Sequence, residues 1–412
     1  MISSSYLGAA ILKGVIKQVP LDFIVEEVSS SGRVSRVVKS NFDTDLGKLT
    51  FVGKKSNYLH FDAQKIGIST FDLSKRIAEL FGVPQKNVSY CGLKDDYAIT
   101  CQRICVKYPT KLDLFCNQNN FVIKNARWSE QDLKIGVLRG NNFLITIRNL
   151  TENKKIISRT VNNFIKFSKK GFPNFYGPQR FGDGRAVAHL VGKYAMDGKF
   201  KEAILTYLAT LSTTESKELS IMRKDFLGLL KSKKQFREFP KEAFIENLMI
   251  NSLQKNNLDF EKAFLDLPDD IKIFFICSYQ SYLFNKMVSK RIDLLGKKAS
   301  KKQKGDVLLN SLPSALMAGT NSVFACGLQG AIERQVLNEE NVSFGDFCLV
   351  HSNGLKFGGK RRTIFSIPKN LKLISISSDE LNKGKIKVQL SFFLDKGCYA
   401  TTFLGRLISG LM

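Results

Sequence analysis

"CGLKDDYAITCQ" occupies residues 91–102. Two carboxylates, Asp95 and Asp96, stand side by side in a chain with 37 Asp and Glu against 63 Lys and Arg. Gly92 precedes them, Lys94 abuts them, and "AITCQRICVKY" (98–108) has the composition of a strand. The stretch reads as a loop that delivers a charged pair to the start of a strand. Taken alone, Asp95 is most simply a turn residue or helix cap. A shared metal ion is a second possibility, but neighbours on a strand point to opposite faces, so one ion takes both carboxylates only in a loop.

Working outward, "LDFIVEEV" (21–28) and "NYLHFDAQK" (57–65) read as strands. Thr70 then caps a helix, "FDLSKRIAELFG", with Phe71, Ile77, Leu80 and Phe81 broadly on one face and Gly82 and Pro84 as its stop. In "KIGVLRGNNFLITIRNL" (134–150), Ile135 and Val137 alternate, and so do Phe143, Ile145 and Ile147. The intervening "RGNN" has turn composition, so the segment predicts a hairpin. "NKKIISRTVNNFIKFSKKG" (153–171) is helical in pattern, ended by Gly171 and Pro173.

From about residue 186 long helical stretches follow: "AVAHLVGKYAMDGKFKEAILTYLAT", "ESKELSIMRKDFLGLLKS" and "IKIFFICSYQSYLFNKMVSKRI". "GKKASKKQKGD" (296–306) is a basic, low-complexity loop and a candidate phosphate contact. "KGKIKVQLSFFL" (383–394) returns to strand, apolar at every second position from Ile386. The pattern predicts an α+β protein. An antiparallel-rich sheet domain, 1–186 and 366–412, is interrupted by a mainly helical domain, 187–365.

The net charge of +26, spread over 412 residues, points to a polyanionic partner, most often nucleic acid. None of the eight Cys forms a C-x-x-C pair, so a structural zinc site is not expected. No apolar run reaches transmembrane length, and "MISSSYLGAAILKGVIK" lacks the charged start of a signal peptide. A reducing cytoplasm is therefore expected. "GLKFGGK" (354–360) has P-loop spacing, but Arg361 stands where Ser or Thr must hold Mg²⁺. "GDGRAV" (182–187) fails a dinucleotide fingerprint at Val187.

Four stretches, taken in order, resemble the TruD-type pseudouridine synthases, which isomerise uridine in tRNA. "GLKDDYAITCQ" (92–102) matches their G-x-K-D-x-x-A-x-T-x-Q signature at each fixed position. "RGNNFLITIR" (139–148), "NFYGPQRFG" (174–182) and "FFLDKGCYATTFL" (392–404) are similar to three further family segments. "KQVPLDFIVEE" (17–27) and "SYLFNKMVSKR" (281–291) are weaker matches, and together the matches span most of the chain. Asp395 stands where the family usually has Pro, and "LGRL" (404–407) replaces its L-R-E-L.

The resemblance implies a pseudouridine synthase catalytic domain carrying a family-specific insertion, with the cleft between them. It implies Asp95 as the catalytic aspartate and Asp96 as a variable neighbour. Lys17 falls on the basic partner of the aspartate, and Phe23, Asn141 and Tyr399 on substrate contacts. Phe143 falls on the aromatic that stacks on the target base. Gln179 and Arg180 are assigned to positioning Asp95 or a phosphate. On pattern alone, Phe23, Phe143 and Tyr399 are core residues, and Gly140–Asn141 is a natural turn pair.

The implied reaction breaks N1–C1′, turns the uracil and rejoins it through C5, needing no cofactor and no metal. One ionised carboxylate serves, as nucleophile or as base on the sugar. The implied partner is tRNA, at uridine 13 of the D arm, or another RNA; no membrane is involved, and a monomer is expected. Two other classes stay open here. One is an RNA-binding or RNA-folding protein with little turnover; the other is a metal-dependent nuclease using Asp95 and Asp96.

Overall fold

The computed structural model describes residues 12–38, 45–182, 184–212, 215–232, 236–240, 243–349 and 354–409. Among the described residues, Pro173–Phe365 forms one compact unit, and those up to Phe172 and from Ser366 form the other. The interrupting unit opens at Pro173 rather than near 187. Asn174 is tied there by hydrogen bonds to Thr363, and Tyr176 by hydrogen bonds to Asn285.

The discontinuous unit is built on one mixed sheet. Its strands are β1 (Phe23–Ser29), β2 (Phe51–Val52), β3 (Tyr58–Ile66), β4 (Val88–Tyr90), β5 (Ile99–Lys107), β6 (Asn117–Gln118), β7 (Phe121–Ser129), β8 (Leu138–Leu150), β9 (Lys369–Ser378) and β10 (Ile386–Asp395). The order is β9-β10-β8-β1-β5-β3-β7-β2, with β4 also on β5 and β6 on β7. β1–β5 and β2–β7 are parallel and the other pairs antiparallel.

Three helices cover this sheet over two cores. α1 (Thr70–Phe81) buries Leu73, Ile77, Ala78 and Phe81, one helical stripe, against Phe61 of β3. Phe71 is left 61% exposed, outside that stripe. The cap is Ser69, whose hydroxyl accepts from the Asp72 N–H at 2.9 Å. Thr70, expected to be the cap, is freed to accept from the Lys94 N–H at 3.0 Å instead. Gly82, at φ +66°, ends the helix in the left-handed conformation that a side chain disfavours. α2 (Lys154–Ser168) and the short helix Ala400–Leu404 cover β8 and β10 through Ile157, Val161, Phe164 and Phe403.

The predicted hairpin at 134–150 is not one. "RGNN" lies inside β8, a single strand from Leu138 to Leu150, and the turn falls earlier, where the Val137 N–H donates to the Lys134 carbonyl. Gly140 answers a tertiary demand rather than a turn. Its partner strand approaches so closely that a Cβ would lie 2.1 Å from the Leu394 carbonyl oxygen and 2.6 Å from the Phe393 ring. β10 presents Val388, Leu390, Phe392 and Leu394 to the core in the alternation expected.

The Pro173–Phe365 unit is mainly helical, with α3 (Ala188–Met196), α4 (Phe200–Ala209), α5 (Lys217–Ser232), α6 (Phe244–Lys255), α7 (Phe260–Leu265), α8 (Asp269–Leu295) and α9 (Gly327–Glu339). It also holds a three-stranded sheet of Leu308–Leu309, Leu312–Met317 and Lys360–Thr363. A strand, not a helix, thus follows "GLKFGGK". The basic segment 296–306 is an ordered loop. Arg291 of α8, fully buried, grips Asp306 through both carboxylate oxygens and donates to the carbonyls of Ala299 and Lys301. Lys297, Lys298, Lys301, Lys302 and Lys304 are exposed on the surface of that anchored loop.

The close approach at Gly140 has a measurable consequence. Gly140→Ala must push β8 and β10 apart and should cost about 1–3 kcal/mol, read as a lowered urea midpoint with cooperative unfolding kept. An unchanged midpoint would mean that β8 and β10 are not this close.

Candidate active site

The signature loop, Cys91–Ala98, runs from β4 to β5. The Gln102 amide donates to the Gly92 carbonyl at 3.3 Å. Ala98 and Thr100 are fully buried at the loop's exit. The Lys94 ammonium donates to Asn141 Oδ1 at 2.8 Å. It also lies 2.9 Å from Glu27 Oε2, a charge contact rather than an aligned hydrogen bond. Glu27 and Asn141 face each other across β1 and β8, so the strand register itself builds the cup that holds Lys94.

Held on both sides, the loop presents Asp95. Its carboxylate is about a quarter exposed and accepts from Lys17 Nζ at 2.5 Å, with Lys17 similarly exposed. The same ammonium stands 4.2 Å from the centre of the Phe23 ring, a cation–π distance. Lys17 reaches both from a left-handed backbone, φ +58°, a conformation that costs about 1 kcal/mol or more for a residue with a side chain. Its segment is fixed by a two-way backbone pairing of Val15 with Arg148 and by the Tyr97 hydroxyl on the Gln18 carbonyl. Arg148, the last residue of "RGNNFLITIR", is nearly buried and binds Asp22, Asp379 and Glu380 at 2.7–3.0 Å.

Beneath the loop lies Lys65 of β3, with no exposed surface. Its ammonium donates to the carbonyl oxygens of Asp95 and Ile68, each at 2.6 Å. Burial pushes its pKa down to about 8, against the pull of the Asp96 and Asp95 carboxylates. Asp96 itself is exposed as a residue. Its pKa is nonetheless raised, first by the protein packed around its carboxyl and then by Asp95, against the pull of Lys65.

The structure brings Asp95, Lys17 and Phe23 together and links Asn141 to them through Lys94. Phe23 and Phe143 are buried, with ring centres 6.0 Å apart, and Phe143 also stacks on Phe392 at 5.3 Å. Both rings are thus spent on the core, and Phe23 also lies under the Lys17 ammonium. Tyr399 is half-buried, just beyond β10, whose last residue pairs with Gly140. Gln179 and Arg180 belong to the other unit, in the turn Pro178–Phe181. There Arg180 donates to Ser281 Oγ at 3.0 Å and lies over the Tyr176 ring.

Sequence reading missed Lys65, and the Glu27–Lys94 contact with it. The available signal was an unpaired lysine at the end of a strand otherwise reading Leu59, Phe61, Ala63 on that face. The two departures from the family pattern are accommodated locally. Asp395 accepts from Lys369 of β9 through both oxygens, and Arg406 lies 4.2 Å over the Phe167 ring.

The family described as tRNA pseudouridine synthase D (TruD) has a sequence model that matches residues 6–313 and 309–407. The chain belongs to the tRNA pseudouridine synthase D family. It is 31% identical over 406 residues to a Methanocaldococcus jannaschii protein named "Probable tRNA pseudouridine synthase D 1", covering 98% of each. It is 32% identical over 390 residues to a Methanococcus maripaludis relative named "Probable tRNA pseudouridine synthase D", covering 94% of this chain and 93% of that one. A crystal structure of a protein assigned as TruD from Methanosarcina mazei superposes with a TM-score of 0.71 at 27% identity, covering 98% of this chain and 95% of that one. The α+β architecture is that of a TruD protein.

Two lysines of the TruD site should differ in what their truncation costs. Lys94→Met leaves the Glu27 carboxylate, 1% exposed, without its cation and should cost about 3–5 kcal/mol. Lys17→Met breaks a pair that water still reaches and should cost about 1 kcal/mol. Urea unfolding of both variants decides; the reverse ranking would mean that Lys94 does not hold the loop.

Proposed function

We propose that this TruD-family protein isomerises uridine to pseudouridine in tRNA, at uridine 13 of the D arm, without a cofactor. The observation that carries the reading is the Asp95 carboxylate, held against Lys17 on a loop whose backbone is braced from beneath. The carboxylate acts at the sugar while N1–C1′ breaks and C5–C1′ forms. Atoms and electrons balance within the substrate, since the C5 hydrogen is replaced and N1 gains one. Lys17 keeps Asp95 aimed. The flipped uridine enters above the floor made by Phe23 and Phe143, where Asn141 and Tyr399 meet it, offsetting an unstacking cost of a few kcal/mol.

The relatives' names support tRNA as the substrate, and the charge of +26 supports a polyanion. The anchored loop 296–306 is suited to phosphates because its five lysines are held in one arrangement by Arg291 and Asp306. We take the protein to act as a monomer in the cytoplasm, on tRNA.

Unmodified tRNA transcripts incubated with the protein, then mapped by carbodiimide chemistry, test this. Conversion at uridine 13, undiminished in EDTA, is expected. No new site on any tRNA would leave an RNA-binding protein; activity lost in EDTA and restored by Mg²⁺ would favour a metal site on Asp95 and Asp96. Replacing Lys301, Lys302 and Lys304 with Glu should weaken binding to many RNAs alike and flatten its salt dependence, leaving the rate for bound RNA unchanged.

A further inference from the structure

We propose that Lys65 is a positioning residue for the reaction: its buried ammonium, donating to the Asp95 carbonyl, sets where the Asp95 carboxylate points. This rests on Asp95 being the catalytic carboxylate. The geometry is specific. Lys65 stands at the end of β3, opposite Thr100 of β5 and Phe121 of β7. Its two hydrogen bonds, to Asp95 O and Ile68 O, tie the signature loop to the turn that enters α1. The Lys94 N–H to Thr70 Oγ1 bond makes the same connection one residue earlier in the loop. The loop is therefore fixed by its backbone, and the Asp95 carboxylate meets Lys17.

A lysine with no exposed surface is an expensive way to bind two carbonyls, because burial disfavours its charged form. The charges around it show why the cation survives there. Asp96 and Asp95 favour it from the loop, while Lys17 and Lys94 oppose it. Asp72 of α1 adds negative charge near Asp96. The cation thus also balances two adjacent carboxylates that would otherwise repel each other.

Function and stability then pull in opposite directions. The folded pKa, about 8, lies below the ordinary lysine value of about 10.4. Between those values the unfolded chain binds more protons at this site, so the lysine's contribution to stability rises as pH rises. Its contribution to positioning falls over the same window, as the ammonium loses its charge and its hydrogen bonds weaken. A lysine that served stability alone would move rate and stability together.

The experiment is single-turnover conversion of tRNA at saturating enzyme, from pH 6.5 to 10, for wild type, Lys65→Met and Lys65→Arg. Circular dichroism and tRNA binding are measured alongside. Wild-type conversion at pH 7 is the control for the underlying reaction; its failure would refute the proposed function rather than this role. Lys65→Met should bind tRNA within about threefold of wild type and convert it about 100-fold more slowly, the scale of a misplaced catalytic group. Wild type should lose rate as pH passes about 8 while staying folded. In Lys65→Arg, where the cation does not titrate, that alkaline loss should disappear. Near-normal conversion by folded Lys65→Met would overturn the proposal. Where that variant does not fold, a wild-type rate constant from pH 7 to 10 would overturn it instead.

Discussion

The antiparallel register of β1 against β8 is the constraint on which the site depends. It sets Phe23 opposite Ile145, Val25 opposite Phe143 and Glu27 opposite Asn141. A slip of one residue would turn every one of these side chains to the other face. In the observed register, Phe23 and Phe143 pack in the core, while Glu27 and Asn141 form the cup for Lys94. Once Lys94 is seated, the next residue, Asp95, has one place to go. β10 closes the arrangement by stacking Phe392 on Phe143, and Gly140 permits the close approach that this requires.

Around that frame the unit keeps several charges out of water, and each holds backbone in place. Arg148 joins Asp22, Asp379 and Glu380, fixing the segment that carries Lys17. Against the cost of burial, hydrogen bonds from Asn149 N–H, Asn382 and Arg148 hold Asp379 down at about 2. Its contribution to stability is therefore present above the ordinary carboxylate pKa and is lost as pH falls from there toward about 2. Buried ion pairs often stabilise no better than apolar packing would. What they supply here is direction: two loops and a strand end are held so that one carboxylate remains partly open to solvent.

Much of this was legible in sequence where the cause is local. The loop that bears Asp95 is contiguous in the chain, and Gln102 closes it locally by donating to the Gly92 carbonyl. β10 announced itself by alternation, because one face is core. β9 did not, since its residues are mostly exposed on both faces at the sheet edge. "RGNN" was misread because Gly140's reason lies in Leu394, far along the chain. The cap slipped from Ser69 to Thr70 for a similar reason, as Thr70 has a tertiary task. Lys65 was passed over although it continues the apolar face of Leu59, Phe61 and Ala63, because a lysine at a strand end looks exposed until the loop that covers it is placed.

The central claim is that of the two adjacent carboxylates only Asp95 does the chemistry. Single-turnover conversion of a tRNA transcript by Asp95→Asn and Asp96→Asn, with binding measured in parallel, tests it most directly. Asp95→Asn keeps the side chain's shape and removes its charge, and should lower the rate by several orders of magnitude while tRNA binding survives. Asp96→Asn, lacking the Lys17 contact, should stay within about tenfold of wild type. Near-normal conversion by Asp95→Asn, or its loss in Asp96→Asn alone, would contradict the account.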